Sequence, residues 1–261
     1  PKSSAGESWG YEDSAVLGVM AKAEAQRPYL RMALTLSTHS PFLIHESAVY
    51  EARFEQRLKE LKFEGQALDL ARDNKKALVT VLQLDDNLRN FIAEYKKRAD
   101  FATTIFIITG DHAMPEIPFE TKLDRYRVPL LIYSPLLSTT RTFSQVVSHF
   151  DVAPSLLALL KNTAGLKTPE TVAWVGEGLQ GSKGYPLMQT KTRMVEYITP
   201  KYHWVDGENY VLAPAFSEEG IAEDKGGLEA LYMQFKAKNE RFLEKKALLP
   251  DTTLRNFFKR F

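Results

Sequence analysis

The chain contains no cysteine. Disulfides and thiolate metal sites are therefore excluded, although the absence does not fix the redox compartment. No apolar run approaches the ~18 residues that a membrane-spanning helix needs, and no signal peptide is visible. Net charge is almost lacking too: 34 Lys and Arg offset 33 Asp and Glu, leaving a formal +1. A chain so balanced offers no electrostatic case for a nucleic-acid partner. It has no internal repeat and no low-complexity tract. Position 1 is proline rather than methionine, so the start is expected to be cut from a longer chain. What is present is ordinary. A hydrophobic share of 44% and a charged share of 26% suit a soluble globular protein. A length of 261 residues allows one large domain or two small ones.

One stretch organises the rest: Thr103-Thr104-Ile105-Phe106-Ile107-Ile108-Thr109-Gly110-Asp111-His112. Residues 104–109 are all β-branched or aromatic, the profile of a strand buried on both faces. The run stops at a glycine, and a carboxylate and an imidazole follow at once. The carboxyl ends of strands are where open α/β sheets bind ligands. Asp111 offers a hard oxygen and His112 a borderline nitrogen, a pair suited to Zn²⁺ or Mn²⁺.

Around that stretch, Glu12-Asp13-Ser14 opens a helix that Asp13 or Ser14 can cap, with Val16, Leu17, Met20 and Ala23 on one face. Tyr29 to Ser37 reads as a second buried strand, followed by His39 and, six residues on, His45. Residues 47–63 and roughly 67–98 read as helices, the second ending in Lys96, Lys97 and Arg98, where the helix dipole favours cations. A strand, then helices, then the Gly-Asp-His strand predicts a βαβ crossover. Val128 to Tyr133 reads as another short buried strand, and Asp151 caps a helix with Pro154 in its first turn. Residues 161–190 look like loop. Arg193 to Thr199, Tyr202 to Val205 and Asn209 to Leu212 read as a small antiparallel sheet with an Asp206-Gly207 hairpin signal. Residues 227–247 read as a final amphipathic helix. The expected fold is α/β: a mainly parallel sheet flanked by helices, then a small antiparallel portion and a terminal helix, with domains at 1–190 and 191–261.

Four separated stretches fall into a recognisable order: Trp9-Gly10-Tyr11-Glu12-Asp13, Thr35-Leu36-Ser37-Thr38-His39-Ser40-Pro41-Phe42, the strand ending in Gly110-Asp111-His112, and Ser148-His149-Phe150-Asp151-Val152-Ala153-Pro154. Together with Arg127 to Pro135 they resemble the sulfatase-like branch of the alkaline phosphatase superfamily. The nearest likeness is to the lipoteichoic acid synthase and phosphoglycerol transferase group, over roughly residues 9 to 212. The resemblance implies a metal-dependent enzyme acting on phosphate or sulfate esters, with a phospholipid head group as one candidate substrate. It implies Asp111 and His112 as ligands of a divalent metal, Mn or Zn, and His39 as a contact to the substrate's anionic group. It also implies that the nucleophile, the remaining metal ligands and the first strands of the sheet lie upstream of Pro1. The missing N-terminal part of the same protein is thus an expected partner, and the fragment by itself is expected to be soluble and inactive. The parent is expected at the extracytoplasmic face of a membrane or in a periplasm. A sulfuric ester hydrolase is the alternative reading, and a non-catalytic binding domain a second.

Other residues have blander expectations. His45 reads as structural or exposed, His149 as a capping or packing residue, and His203 as sheet surface. Lys122, Arg125 and Arg127 form a basic cluster that suits an anionic ester but more often marks a solvated loop. Glu12, Asp13 and Glu116 are the acidic candidates for a third metal ligand, and spacing selects none of them.

Overall fold

The computed structural model describes residues 10–119, 124–143 and 145–168, together with short stretches between 2 and 7 and between 171 and 250. The chain divides into two compact units, residues 1–140 and 141–261.

In the first unit, a short antiparallel pair, β1 (Lys2–Ser3) and β2 (Gly6–Glu7), precedes helix α1 (Asp13–Lys22). Glu12 is the N-cap of α1, and no side chain caps it. The expected capping by Asp13 fails because the Asp13 carboxylate is used elsewhere: it accepts the backbone N–H groups of Leu36 (2.8 Å) and Ser37 (3.3 Å). Helix α2 spans Ser47–Leu61 and ends at Lys62, whose φ is 53°. The single helix expected over 67–98 is two, α3 (Gly65–Asp73) and α4 (Lys75–Tyr95). They part at Asn74, whose side-chain amide donates to the Leu70 carbonyl at 2.9 Å. Such local side-chain bonds compete with the helical ladder. The cationic end also differs from expectation, since α4 stops at Tyr95. Arg98 instead donates to the carbonyls of Ala21 and Ala23 at the end of α1.

Two apolar clusters hold these helices. Leu17 and Ala21 of α1, Phe91 and Tyr95 of α4 and Phe106 form one, with Met20, Leu88, Ile92 and Phe101 packed against it. The Phe106 ring stands edge-on to Tyr95 at 5.0 Å and to Phe91 at 6.0 Å, within the range where aromatic pairs attract. Ile44, Phe54, Leu58, Ala71 and Val79 form the other. The first cluster seats strand β3 (Phe106–Thr109) on α1 and α4, and so fixes where residues 110–112 emerge.

β3 pairs with β4 (Leu130–Tyr133), and the pair is antiparallel, with Phe106 opposite Tyr133 and Thr109 opposite Leu130. The mainly parallel sheet through 30–37, 104–109 and 128–133 is therefore not what the described residues form. A parallel pair needs a crossover, usually helical. The only helical turn described between β3 and β4 is the short one at Asp124–Tyr126, so the chain doubles back beside β3. Burial departs from expectation too. Phe106 is buried, but Leu131, Ile132 and Tyr133 of β4 are exposed.

Residues 29–37 belong to no described ladder. Burial still alternates along the segment. Tyr29 and Arg31 turn to the helices, where Arg31 donates to the carbonyls of Met20 and Ala23. Leu30, Met32 and Leu34 are 77%, 89% and 66% exposed. The period of two that suggested a strand is present, but helix ends rather than strands hold the segment.

In the second unit, Ser148 begins a short turn at His149–Asp151 that leads into α5 (Val152–Ala164). Asp151 is the N-cap residue of α5, as the sequence predicts, but its side chain bonds no N–H of that helix; Ser148 caps the turn before it. Its hydroxyl accepts from the Phe150 N–H, while Asp151 accepts from the Ser148 N–H at 2.9 Å, a reciprocal capping box. Asp151 is 2% exposed and also accepts from the Gly178 N–H, and Ser155 accepts from the Leu179 N–H at 2.7 Å. Gly176, Gly178 and Leu179 are thus laid directly on the start of α5. A Cβ at Gly176 would stand 1.9 Å from the Phe150 carbonyl oxygen. Because the obstacle is backbone, it cannot rotate away. Gly176→Ala is expected to detach Gly176, Gly178 and Leu179 from α5, costing about 1–3 kcal/mol in the manner of an overpacked site. Hydrogen exchange reads this as lost protection at the Gly178 and Leu179 amides.

Strands β5 (Thr171–Val172) and β10 (Leu249–Pro250) pair with each other. Strands β6 (Tyr185–Thr190), β7 (Arg193–Ile198), β8 (Tyr202–Val205) and β9 (Leu212–Pro214) follow one another in an antiparallel sheet. This sheet is the small antiparallel portion expected from the sequence, enlarged by β6, which falls within the stretch read as loop. His203 lies in β8 opposite Ile198 and Ala213. The terminal helix expected over 227–247 lies outside the described residues, apart from Met233 and Ala237, which are helical.

Candidate functional site

Gly110, Asp111 and His112 leave β3 at its carboxyl end, as the sequence predicts. Thr109 anchors that end by donating its hydroxyl to the Pro129 carbonyl at 2.8 Å, just before β4 begins. Both Asp111 and His112 face solvent. The Asp111 carboxylate accepts from the His112 backbone N–H at 2.9 Å, which leaves its Oδ2 3.7 Å from His112 Nε2. The His112 Nδ1 lies 2.8 Å from the Ala113 carbonyl oxygen. A carbonyl only accepts, so Nδ1 carries the proton, and the neutral ring presents a lone pair at Nε2.

This arrangement fits a divalent cation. A backbone carbonyl that holds the far nitrogen of a histidine is the usual outer support of a metal-binding imidazole. Two donors about 2.1 Å from one tetrahedral cation lie about 3.4 Å apart, close to the observed 3.7 Å. Among the described residues, no group of three His, Cys, Asp or Glu side chains completes a site. Two of the acidic candidates for a third ligand are engaged elsewhere. Asp13 is 1% exposed and bound to the 36–37 backbone. Glu12 Oε1 lies 2.8 Å from His45 Nε2 and forms an ion pair with that ring when it is protonated. Glu116 is exposed and joins no such group.

The fold brings His39 to this place from a distant part of the chain. Its ring meets that of His112 edge to face, with centroids 6.5 Å apart and planes at 76°. The His39 Nδ1 lies 2.6 Å from the Ser40 carbonyl oxygen and so carries a proton. Neutral, the ring offers a lone pair at Nε2; protonated, it offers an N–H donor there. Two backbone bonds shape the turn around it, His39 N–H to the Leu36 carbonyl at 3.0 Å and Phe42 N–H to the His39 carbonyl at 2.9 Å. Phe42 and Glu46 have φ of 59° and 53°, a region that residues with side chains rarely enter.

Of the other residues singled out in the sequence, Arg125 lies over the Tyr126 ring at 5.8 Å. Lys122 is outside the described residues, so the basic cluster is not described as a unit. Sequence reasoning missed the partners of Glu12 and Asp13. One signal was available: an acid in the first turn of an amphipathic helix, if buried, needs donors from elsewhere in the chain.

A family model described as Sulfatase matches residues 5–162, more than half of the chain. The matched span contains the Trp-Gly stretch, His39, the Gly-Asp-His strand end and the turn that opens α5. Comparison with curated proteins gives no match.

Proposed function

Because this chain belongs to the sulfatase family, we propose that it forms part of a metal-dependent enzyme that transfers or hydrolyses a phosphate ester, in the manner of phosphoglycerol or phosphoethanolamine transferases. Enzymes of this family act on sulfate or phosphate esters and generally use a divalent metal. The observation that carries the reading is the convergence of Asp111, His112 and His39 at the end of β3.

Asp111 and His112 would hold the metal, Mn²⁺ or Zn²⁺, through a carboxylate oxygen and Nε2. A metal bound there would supply Lewis-acid neutralisation of charge on the ester. His39, when its ring carries both protons, would donate from Nε2 to a non-bridging oxygen of the ester group. A fixed donor of this kind stabilises charge as it develops during transfer. A threonine upstream of Pro1, as the resemblance implies, is the proposed nucleophile, and the remaining metal ligands are proposed to lie there too. A phospholipid head group is the proposed substrate, and the outer face of a membrane the proposed location. The reading that a sulfuric ester is the substrate is favoured by one observation, the description of the matching family.

The test compares esters. A chain extended to include the upstream threonine is expected to release product from fluorescent phosphatidylglycerol or p-nitrophenyl phosphate with added Mn²⁺ or Zn²⁺. Faster release from p-nitrophenyl sulfate would replace the phosphoryl reading with the sulfatase one. Residues 1–261 alone are expected to turn over neither ester. Metal-dependent turnover by these residues alone, abolished by Asp111→Ala, would place the nucleophile among them.

A further inference from the structure

We propose that Glu12 and Asp13 are positioning residues for His39, gripping the turn that carries it at both ends. The proposal rests on the reading of His39 as the residue that contacts the ester. On the upstream side, Asp13 Oδ1 accepts from the Leu36 N–H at 2.8 Å and from the Ser37 N–H at 3.3 Å, and its Oδ2 also lies 3.3 Å from that N–H. A carboxylate 1% exposed is tolerated only with such donors, so Asp13 and the 36–37 backbone hold each other in place. On the downstream side, Glu12 Oε1 lies 2.8 Å from His45 Nε2, an ion pair when that ring is protonated rather than a formed hydrogen bond, and Gln83 of α4 donates to the His45 carbonyl.

Between the two grips, the backbone passes through the rarely used conformation of Phe42, and Glu46, just past the second grip, adopts another. Conformations of that kind persist only where their surroundings over-determine them. Two adjacent side chains at the start of α1 supply that determination. They reach opposite ends of one turn, and His39 lies between those ends. Because α1 packs on the same cluster as β3, the grip sets His39 relative to His112. Glu12 and Asp13 touch neither Asp111 nor His112 in any described contact, so they act through His39.

The test uses Glu12→Ala, Asp13→Ala and Asp13→Asn in residues 1–261. The readout is the nuclear Overhauser effect between the ring protons of His39 and His112, with that between Phe91 and Phe106 as the control for folding. Both alanine variants are expected to lose the histidine signal and keep the control. Asp13→Asn, which retains an acceptor oxygen, is expected to keep at least half of the histidine signal. Should Asp13→Ala lose the control signal as well, Glu12→Ala decides alone, since Glu12 is the less buried of the two. A histidine signal that survives Glu12→Ala overturns the proposal.

A second titration separates this proposal from the reading beneath it. Inorganic phosphate is expected to shift the His39 ring resonances, with an apparent Kd at least tenfold higher in Glu12→Ala than in the unmodified chain. Zn²⁺ affinity at Asp111 and His112 is expected to change less than threefold. If phosphate leaves His39 unmoved in the unmodified chain while the histidine signal still depends on Glu12, the grip stands and the ester-contact role of His39 falls.

Discussion

Asp100→Ala is expected to lower the unfolding free energy by about 3 kcal/mol, toward the lower end of what breaking a buried ion pair costs. Asp100 is 5% exposed. Its carboxylate accepts from Arg98 Nε at 2.9 Å and from a second Arg98 nitrogen at 3.0 Å. It also accepts from the Tyr29 hydroxyl at 2.6 Å. Since Tyr29 spends its one proton on Asp100, the Tyr95 hydroxyl must donate in the 2.8 Å contact between the two tyrosines. Arg98 reaches on to the carbonyls at the end of α1. The carboxylate therefore ties α1, α4 and the 29–37 segment at one point. Removing it leaves a guanidinium that is only 19% exposed without its counter-charge. The loss stays near the lower end because Arg98 keeps its carbonyl partners. Urea melts check this, with the midpoint falling and the m-value unchanged.

The same network sets a pH dependence. The Arg98 guanidinium, and then the Tyr29 hydroxyl, hold the Asp100 carboxyl well below the usual carboxylate range. A carboxylate depressed in the folded state stabilises fully above its unfolded value of about 3.9, and that stability is lost as pH falls below it. Burial, and then the bond to Asp100, push the Tyr29 hydroxyl up to about 12. A group raised in the folded state stabilises fully below its unfolded value of about 10, and that stability is lost as pH rises through about 12. Unfolding free energy is expected to fall on both sides of the range from about 4 to about 10. Asp100→Ala is expected to flatten the acid limb, and Tyr29→Phe the alkaline one. An acid limb as steep in Asp100→Ala as in the unmodified chain would assign it to other carboxylates.

His112→Ala and Asp111→Ala are each expected to reduce Zn²⁺ or Mn²⁺ affinity by more than about 100-fold. Losing an outer support of a metal-binding histidine already costs about 10–100-fold, and these residues are the proposed donors themselves. Both side chains face solvent and belong to neither apolar cluster. Stability without metal is therefore expected to change by less than about 0.5 kcal/mol, as for ordinary surface substitutions. Calorimetric titration checks the affinity. Asp85→Ala serves as the control, since Asp85 lies on α4 and pairs with Arg89. Equal binding by all three variants would move the metal away from the end of β3.

Several features were legible in the residues alone. The β-branched run before Gly110 makes a strand wherever it is placed, and the glycine ends it, so Asp111 and His112 had to emerge at a strand end. Helices α1, α2 and α5 followed from apolar spacing, and β7 and β8 from alternation and a hairpin signal, because periodicity is a property of neighbouring residues. The order of the short motifs also pointed to the family that matches residues 5–162. Tertiary structure decided what depends on partners far along the chain. The direction in which β3 meets β4 is set by the path of the connection, which no local pattern encodes. Residues 29–37 have a strand's alternation, yet helix ends take up their inward side chains. Asp13 was read as a cap because a cap is the local use of an acid at a helix start. Its donors lie 23 and 24 residues away. The encounter of His39 with His112, on which the proposed chemistry rests, is likewise a product of the packing of α1, α4 and β3. Sequence supplied the donor types, and only the fold could aim them at one another.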